Sequence, residues 1–188
     1  LVMVTRKGII KRTHLSEYRN VRRGGLIAIR LDDDDALCGV RLTYGDNELI
    51  LATRMGMAIR FHETQARSIG RTAHGVRAIR LNEAKGDAVV GIARVREGAT
   101  LLTLSESGKG RRTEISQYRL QSRGGKGITN YKNGMIAGIK IVDEDDDIIL
   151  ISDDGIIIRF PVAQINVQSR YGSGVRVMRL AEDSHVVT

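Results

Sequence analysis

The sequence lacks several residue types on which other protein classes depend. Its 188 residues include one cysteine, one proline, no tryptophan and four histidines. A single cysteine, Cys38, excludes an internal disulfide, and the scattered histidines do not form a zinc-binding motif. No apolar run approaches the length of a membrane-spanning helix. These absences exclude disulfide-rich, zinc-finger and membrane-spanning proteins, and they favour a reducing, cytoplasmic compartment.

Apolar residues are nevertheless abundant enough for a folded core, and positive charge is in modest excess. Hydrophobic residues make up 41% of the chain, and 30 Lys+Arg against 22 Asp+Glu give a formal net charge of +8. Aromatic residues make up only 4%, which argues against base stacking as a main binding mode. The chain starts at Leu1 inside an apolar run, without a signal-peptide pattern, so we expect it to be part of a longer protein.

Four copies of one unit account for almost the whole sequence. Each copy opens with an apolar run, at residues 1–5, 49–53, 101–105 and 148–152, and a glycine follows at Gly8, Gly56, Gly108 and Gly155. A second glycine comes 17 or 19 residues later, at Gly25, Gly75, Gly127 and Gly174. Such a period indicates a repeat architecture, with units at about 1–48, 49–100, 101–147 and 148–188.

The units have the pattern of β-strands. Short runs rich in Ile, Val, Leu and Thr, bounded by Gly, Asp and Asn, give four candidate strands in a unit, the last at 36–42, 88–95 and 135–142. Clean polar and apolar alternation is missing, so both sheet faces should be covered. We predict an all-β, propeller-like fold with four-stranded blades. A β-sandwich is the alternative, but it does not require a repeating sequence.

Two basic positions recur in every unit. Four residues after the first glycine stand Arg12, Arg60, Arg112 and Arg159, and five residues after the second stand Arg30, Arg80, Lys132 and Arg179. Recurrence indicates that these positions share a role, such as ligand binding. The alternative is that they form a repeated ion pair or a solvated edge position.

The longest connection of each unit, between its second and third strands, also collects cations. They are Arg19, Arg22 and Arg23, then Arg67 and Arg71, then Arg119, Arg123 and Lys126, and finally Arg170. Because equivalent connections share one edge of a propeller, these cations should form an arc that suits a bent polyanion such as duplex DNA. Acidic runs at 32–35 and 143–147 fall in other turns, where we expect them to repel DNA, and neither has calcium-loop spacing.

The most specific segment is Gln121-Ser122-Arg123-Gly124-Gly125-Lys126-Gly127. Its glycines allow the backbone to approach a phosphate, and Arg123 and Lys126 add charge. It is not a P-loop, because Lys126 is not followed by Ser or Thr. The segment resembles the gyrase A box, Gln-[Arg/Lys]-Arg-Gly-Gly-[Arg/Lys]-Gly, and departs from it only at Ser122.

Two further patterns extend this resemblance to the whole chain. They are Lys109-Gly-Arg-Arg-Thr113 and the Gly-Val-Arg-x-x-Arg-Leu segments that begin at Gly75 and Gly174. The chain is thus similar to the C-terminal domain of the DNA gyrase A subunit, more than to its topoisomerase IV counterpart, whose box is usually degraded or missing. The resemblance implies a β-pinwheel, a propeller-like disc of usually six and sometimes five blades that exchange strands.

The same resemblance implies a function. The disc would bind duplex DNA and bend it around its rim, which supports ATP-dependent negative supercoiling by the whole enzyme. No catalysis, cofactor or metal is expected in this part, since ATP, magnesium and the cleaving tyrosine would act elsewhere. Partners would be double-stranded DNA, the gyrase B subunit and the rest of the gyrase A subunit, in a bacterial cytoplasm. Because the principal box of the family lies in its first blade, this chain would start partway round the disc.

The candidate DNA-binding residues combine the box with the recurrent cations. They are Gln121, Arg123, Gly124, Gly125, Lys126, Gly127, Arg22, Arg23, Arg71, Arg170, Arg12, Arg60, Arg112, Arg159, Arg111 and Lys109. The alternative function is a protein-interaction propeller that docks an acidic partner through its basic rim. An enzyme with a central active site is a weaker alternative, because no titratable groups converge in the sequence.

Overall fold

The computed structural model describes residues 1–187 and has an all-β architecture. The strands are β1 (Val2–Thr5), β2 (Ile9–Arg12), β3 (Leu37–Arg41), β4 (Glu48–Thr53), β5 (Met57–His62), β6 (Val76–Arg77), β7 (Val89–Arg94), β8 (Thr100–Ser105), β9 (Lys109–Glu114), β10 (Ile128–Thr129), β11 (Ile136–Val142), β12 (Asp147–Ile151), β13 (Ile157–Pro161) and β14 (Val175–Arg176). Short 3₁₀ helices lie at Leu15–Tyr18, Glu63–Gln65, Glu83–Lys85, Ile115–Gln117 and Val162–Gln164. None of the helices in residues 1–187 is long and apolar enough to span a membrane.

The first two strands of each unit form a tight antiparallel hairpin. In the first unit β1 pairs with β2, and Gly8 in the turn has φ 82°. In the last unit β12 pairs with β13, and Gly155 has φ 86°. Glycine is required there because other residues rarely adopt a positive φ. The expected hairpins at both ends of the chain are therefore confirmed.

The blades exchange strands, as the resemblance implied. The sheet orders are β3-β1-β2-β6, β10-β5-β4-β7 and β11-β8-β9-β14, with β12-β13 as a separate pair. Strand β6 belongs to the second unit but completes the first sheet. In the same way, β10 of the third unit completes the second sheet, and β14 of the fourth unit completes the third sheet. The second and third units thus contribute three strands to their own blade and one to the preceding blade, which is the β-pinwheel arrangement.

The core lies between neighbouring sheets. Strands β3, β7 and β11 pack against one another and form the hub, whereas β6, β10 and β14 lie at the outer edges. Leu49, Ile50, Leu51 and Ala52 are successive residues of β4, and all are fully buried. Side chains on both faces of this strand are therefore covered, which explains the lack of alternation in the sequence.

One expected strand is missing. Residues 25–31 of the first unit correspond to β6, β10 and β14, but they form no strand in the structure. Ile27 remains 64% exposed, because no other strand among residues 1–187 lies beside it. In contrast, the divergent third copy forms β10 normally, because the register with β5 is made by backbone groups and does not require particular side chains.

Candidate nucleic-acid interface

The box loop, residues 121–127, is fixed to two neighbouring blades along its first half. The backbone N–H of Gln121 donates to Arg60 O at 2.9 Å, and that of Arg123 donates to Gln65 Oε1 at 2.7 Å. Gly124 N donates to Ala78 O at 2.7 Å. The loop is therefore a structured connection whose course is set by hydrogen bonds to the preceding unit.

Arg123 takes part in this fixation through its side chain. Its Nε donates to Gln65 O at 3.0 Å, and its Nη1 donates to Arg77 O. Lys126 is exposed and has no ion-pair or hydrogen-bond partner among residues 1–187. The two cations of the box thus differ: Arg123 joins loop to blade, and Lys126 is free to contact a ligand.

The Arg123 contact is repeated in two other units. Arg71 Nη1 donates to Ile27 O at 2.6 Å, and Arg170 Nη1 donates to Thr129 O. Each acceptor is the second residue after the second glycine of the preceding unit. We call Arg71, Arg123 and Arg170 the clamp arginines, because each ties its own loop to the outer strand segment of the unit before it.

The clamp is accompanied by a recurrent glutamine in the 3₁₀ helix. Gln117 Oε1 accepts from Arg170 N at 3.0 Å, as Gln65 Oε1 accepts from Arg123 N. Sequence reasoning did not identify these glutamines. The signal was available, since both residues stand five positions after a recurrent arginine, Arg60 or Arg112.

The recurrent arginines that follow the first glycine lie between blades. Arg112 is 7% exposed, and its Nε donates to Ile165 O at 2.6 Å. Arg60 Nη1 donates to Ile115 O and Tyr118 O, at 3.1 and 2.9 Å, and the same side chain forms an ion pair with Glu48. In both cases the arginine of one blade binds carbonyls around the 3₁₀ helix of the next.

Arg12 makes the corresponding contact through a carboxylate. Its Nη1 lies 3.2 Å from Oε2 of Glu63, which begins the 3₁₀ helix of the second unit. Glu63 is 1% exposed and also accepts hydrogen bonds from Thr43 Oγ1, Gly45 N and Asn47 N. Burial opposes ionisation of Glu63, but these hydrogen bonds outweigh it and hold its pKa below the usual value.

Arg159 differs from its three counterparts. Its side chain is 75% exposed and pairs with Asp147 of the same hairpin, with Nε 2.7 Å from Oδ2. Among residues 1–187 there is no following 3₁₀ helix for it to reach. The difference shows that burial of this recurrent arginine depends on the next blade and is not a property of the hairpin itself.

Arg111 is the most deeply buried of the candidate residues. It is 0% exposed, and its guanidinium donates to Asn130 O, Asn130 Oδ1 and Arg170 O at 2.6, 2.9 and 2.6 Å. Burial lowers its pKa, although the side chain remains a cation. The structure therefore corrects the expectation that Arg111 and Arg112 line a DNA path, because neither guanidinium is accessible to a phosphate.

The second recurrent basic position is the exposed one. Arg30, Arg80, Lys132 and Arg179 are all exposed, and none of them has a carboxylate partner among residues 1–187; we call them the rim cations. Arg80, Lys132 and Arg179 each follow an outer strand by a few residues. Equivalent side chains thus occupy the outer edge of successive blades.

Other exposed cations lie near this edge. Arg77 of β6 and Arg176 of β14 are exposed and were absent from the sequence-based candidates, although the Gly-Val-Arg pattern contains them. Arg22 and Arg23 are exposed in the connection of the first unit, and Lys109 at the start of β9 is partly exposed.

The fourth unit carries a loop equivalent to the box. Residues 168–174 read Gln-Ser-Arg-Tyr-Gly-Ser-Gly and align with 121–127, so Tyr171 replaces Gly124 and Ser173 replaces Lys126. The Tyr171 ring is 62% exposed and lies 5.1 Å from both Lys132 Nζ and Arg170 Cζ. Alignment of the repeats from the second glycine backwards would have found this loop.

Metal ligands do not converge among the residues that the structure describes. No group of three or more His, Cys, Asp or Glu within residues 1–187 is placed to hold a metal ion. The acidic run at 143–147 is exposed for most of its length, and its first and last residues pair with Arg96 and Arg159. The cations, by contrast, mark the outer edge as the charged surface of the disc.

The fold and these exposed cations define a β-pinwheel with a basic outer edge. The family model described as "DNA gyrase C-terminal domain, beta-propeller" matches residues 1–43, 47–96, 99–143 and 146–188. The chain therefore belongs to the DNA gyrase C-terminal domain family, and the family resemblance seen in the sequence is confirmed. The four matched segments correspond to the four units.

Individual relatives agree with this assignment. The chain is 47% identical over 140 residues to the DNA gyrase A subunit of Haloquadratum walsbyi, a match that covers 71% of this chain and 16% of that protein. A crystal structure of the C-terminal domain of DNA topoisomerase IV is similar with a TM-score of 0.93 at 27% identity, over 100% of this chain and 59% of that one. A DNA gyrase A C-terminal domain is similar with a TM-score of 0.88 at 28% identity, over 100% of this chain and 63% of that one.

Proposed function

We propose that this chain binds duplex DNA along its outer edge and bends it, without catalysis of its own. The supporting observation is the recurrence of exposed, unpaired rim cations on successive blades of a disc. Phosphates recur regularly along a duplex, and each one neutralised by Lys or Arg releases counterions. Arg80, Lys132 and Arg179 place a cation at the same position on three successive blades, which matches that regularity.

A bent duplex requires contacts from several blades. Smooth bending of a 20–30 bp site by 40–90° costs of order 1–6 kcal/mol. One loop does not offset this cost, whereas rim cations on three successive blades provide several points of attachment along the curve. Since these contacts are made to phosphates, binding should depend weakly on base sequence.

The chain spans about a sixth of the curated relative it matches, so its wider role belongs to a longer protein. We propose that this protein is the A subunit of a bacterial DNA gyrase, an ATP-dependent topoisomerase. The disc would wrap DNA for negative supercoiling, and it would work in the cytoplasm with the B subunit of the enzyme and with the rest of its own polypeptide. ATP and magnesium would be used outside this chain.

The test compares two triple variants that remove the same charge. In the rim variant Arg80, Lys132 and Arg179 are changed to Gln, and in the hub variant Arg41, Arg94 and Lys140, on β3, β7 and β11, are changed to Gln. Affinity for an end-labelled duplex is measured over a range of salt concentrations, together with energy transfer between the two DNA ends. The rim variant should lower the slope of log K against log salt by about 0.9 for each lost contact.

The hub variant is the matched control and should retain most of the slope. Equal losses in both variants would show that net charge, and not the outer edge, governs binding. Tight binding with no approach of the DNA ends would contradict bending. Energy transfer also distinguishes DNA bending from the alternative function, because a protein-docking propeller would leave the ends of the duplex apart.

A further inference from the structure

An aromatic ring stands among the cations of the outer edge. Tyr171 lies in the fourth-unit loop that is equivalent to the box, and it is 62% exposed. Tyr118 and Tyr131, in contrast, are buried. A single exposed ring is common on protein surfaces, but the backbone and the charges around Tyr171 set it apart.

A buried cation holds the backbone on both sides of Tyr171. Arg111 Nη1 donates to Arg170 O at 2.6 Å and to Gly172 O at 3.2 Å, and these are the two carbonyls that flank Tyr171 in the chain. Gly172 N also donates to Ser169 O at 2.9 Å, which closes a turn around the tyrosine. The ring is therefore presented by a fixed loop, and binding to it would require little further ordering of the backbone.

The box loop presents no such ring. There Gly124 takes the place of Tyr171, and Ile59 takes the place of Arg111. An aliphatic side chain donates no hydrogen bond, so the carbonyls beside Gly124 lack the support of a buried cation. The box instead offers the exposed cation Lys126, at a position where the fourth-unit loop has a serine. The two loops therefore suit different parts of a ligand, because one presents a charge and the other an apolar surface.

Cations lie beside the Tyr171 ring. Lys132 Nζ and Arg170 Cζ are each 5.1 Å from the ring centroid. Lys132 is one of the rim cations, which the proposed function places against phosphates. Along a DNA strand each phosphate is joined to a deoxyribose, whose C–H groups form an apolar surface. A phosphate bound by Lys132 would thus bring a sugar within reach of the ring.

Solvent reaches this position of the repeat in a blade that has neighbours on both sides. Thr72 stands at the same place in the loop of the second unit, and it is exposed although two further units follow it. The exposure of Tyr171 is thus a property of the loop position.

We propose that the ring of Tyr171 packs against a deoxyribose of the DNA that follows the outer edge. This inference rests on the proposed DNA-binding function and adds an apolar contact to a surface of charges. An apolar contact neutralises no phosphate and releases no counterion, so its contribution to affinity does not depend on salt. A sugar contact reads no base edge, so the contribution is also the same for different base sequences.

Two neighbouring substitutions should therefore differ in their salt dependence. Affinity for a labelled duplex is measured by fluorescence anisotropy over a range of salt concentrations, with two duplexes of different base composition. Tyr171→Ala should weaken binding by about threefold to tenfold at every salt concentration, and on both duplexes, with an unchanged slope of log K against log salt. Lys132→Gln should lower that slope by about 0.9. Tyr171→Phe keeps the ring and should recover most of the affinity that Tyr171→Ala loses.

Tyr44→Ala is the matched control. Tyr44 is 73% exposed, and its ring centroid lies 5.2 Å from Cζ of Arg94, so it is a second exposed tyrosine beside an arginine. It lies in the connection between β3 and β4, and Arg94 belongs to the hub strand β7. Its removal should leave DNA affinity unchanged. Since both tyrosine side chains are exposed, the melting temperatures of Tyr44→Ala and Tyr171→Ala should equal that of the wild type.

Four outcomes would overturn the inference while the proposed function stands. They are wild-type affinity in Tyr171→Ala, a lower salt slope in Tyr171→Ala, a loss confined to one of the two duplexes, and a loss in Tyr171→Phe as large as in Tyr171→Ala. The last would mean that the hydroxyl group, and not the ring, makes the contact. Absence of DNA binding by the wild-type chain would overturn the proposed function and this inference together.

Discussion

One position of the repeat holds a cation in two units and an aliphatic residue in the other two. Lys11 and Arg111 are equivalent in the repeat, both are buried, and both donate to backbone carbonyls; the same position holds Ile59 and Ile158 in the other two units. A cation and an aliphatic side chain thus fill the same site. Lys11 and Arg111 each donate to backbone carbonyls of other segments, and an unsatisfied buried carbonyl would be costly.

Glu63 should stabilise the joint between the first two units. Glu63→Gln removes the negative charge that Arg12 faces and weakens the hydrogen bonds from Gly45 and Asn47. The expected loss in the free energy of unfolding is about 1–3 kcal/mol at pH 7, from urea titration. Glu97→Gln, at an exposed turn residue, is the control and should change little.

The pH dependence of this effect has a definite sign. The pKa of Glu63 is lowered in the folded state, so its carboxylate contributes stability above the ordinary pKa of a glutamate, and that contribution is lost as the pH falls through the lowered folded value. The gap between the wild type and Glu63→Gln should be full at pH 7 and should narrow below about pH 4. A gap that stays constant with pH would contradict a charged Glu63.

At the scale of elements, the box loop is divided into a structural half and an exposed half. Arg123 is bound to two carbonyls of the second unit, whereas Lys126 faces solvent. The resemblance to the gyrase A box predicted that both residues contact DNA. Hydrogen-bond partners 46 and 58 residues away in the sequence were not visible in the motif itself.

Substitutions of these two residues should therefore have different effects. Lys126→Gln should lower the salt slope of DNA binding by about 0.9 and leave unfolding unchanged. Arg123→Gln should lower the free energy of unfolding by about 1 kcal/mol, because hydrogen bonds to Gln65 O and Arg77 O are lost. Arg123→Lys keeps the charge but cannot replace both bonds, so it should also destabilise the fold. Equal destabilisation by Lys126→Gln would contradict this division.

At the scale of the whole molecule, charge is separated between the rim and the acidic turns. The rim cations are exposed and unpaired among residues 1–187, and the aspartates at 32–34 are exposed in a turn of the first unit. A net charge of +8 is modest for a protein of this length, so its placement matters more than its size for binding a polyanion.

Removal of the acidic turn should not weaken DNA binding. In the variant, Asp32, Asp33 and Asp34 are changed to Ser, while Asp35 is kept because its Oδ1 accepts from Lys7 N and Ala36 N. The loss of repulsion should leave affinity for a labelled duplex equal or higher, by fluorescence anisotropy at low salt. Weaker binding, with an unchanged melting temperature, would show that this turn faces the DNA.

The internal repeat allowed much of the fold to be predicted from the sequence. The spacing of Gly8, Gly56, Gly108 and Gly155 located four hairpins, and the apolar runs located β1, β4, β8 and β12 within a residue or two. These features follow from local rules: a positive φ requires glycine, and a strand covered on both faces is apolar throughout. The box motif and the repeats together were also sufficient to identify the family.

Tertiary structure alone decided which cations are free. Arg112 and Arg179 stand at two different positions of the repeat, and each position is basic in every unit, so the sequence does not distinguish them. Arg112 is nevertheless buried against the next blade, whereas Arg179 is exposed at the outer edge. Strand exchange is the reason: it places the segments after Gly75, Gly127 and Gly174 on the outside of the preceding blade, and the next blade encloses the hairpin arginine of each of the first three units. Contacts between units far apart in the chain, and not the residues themselves, set that difference.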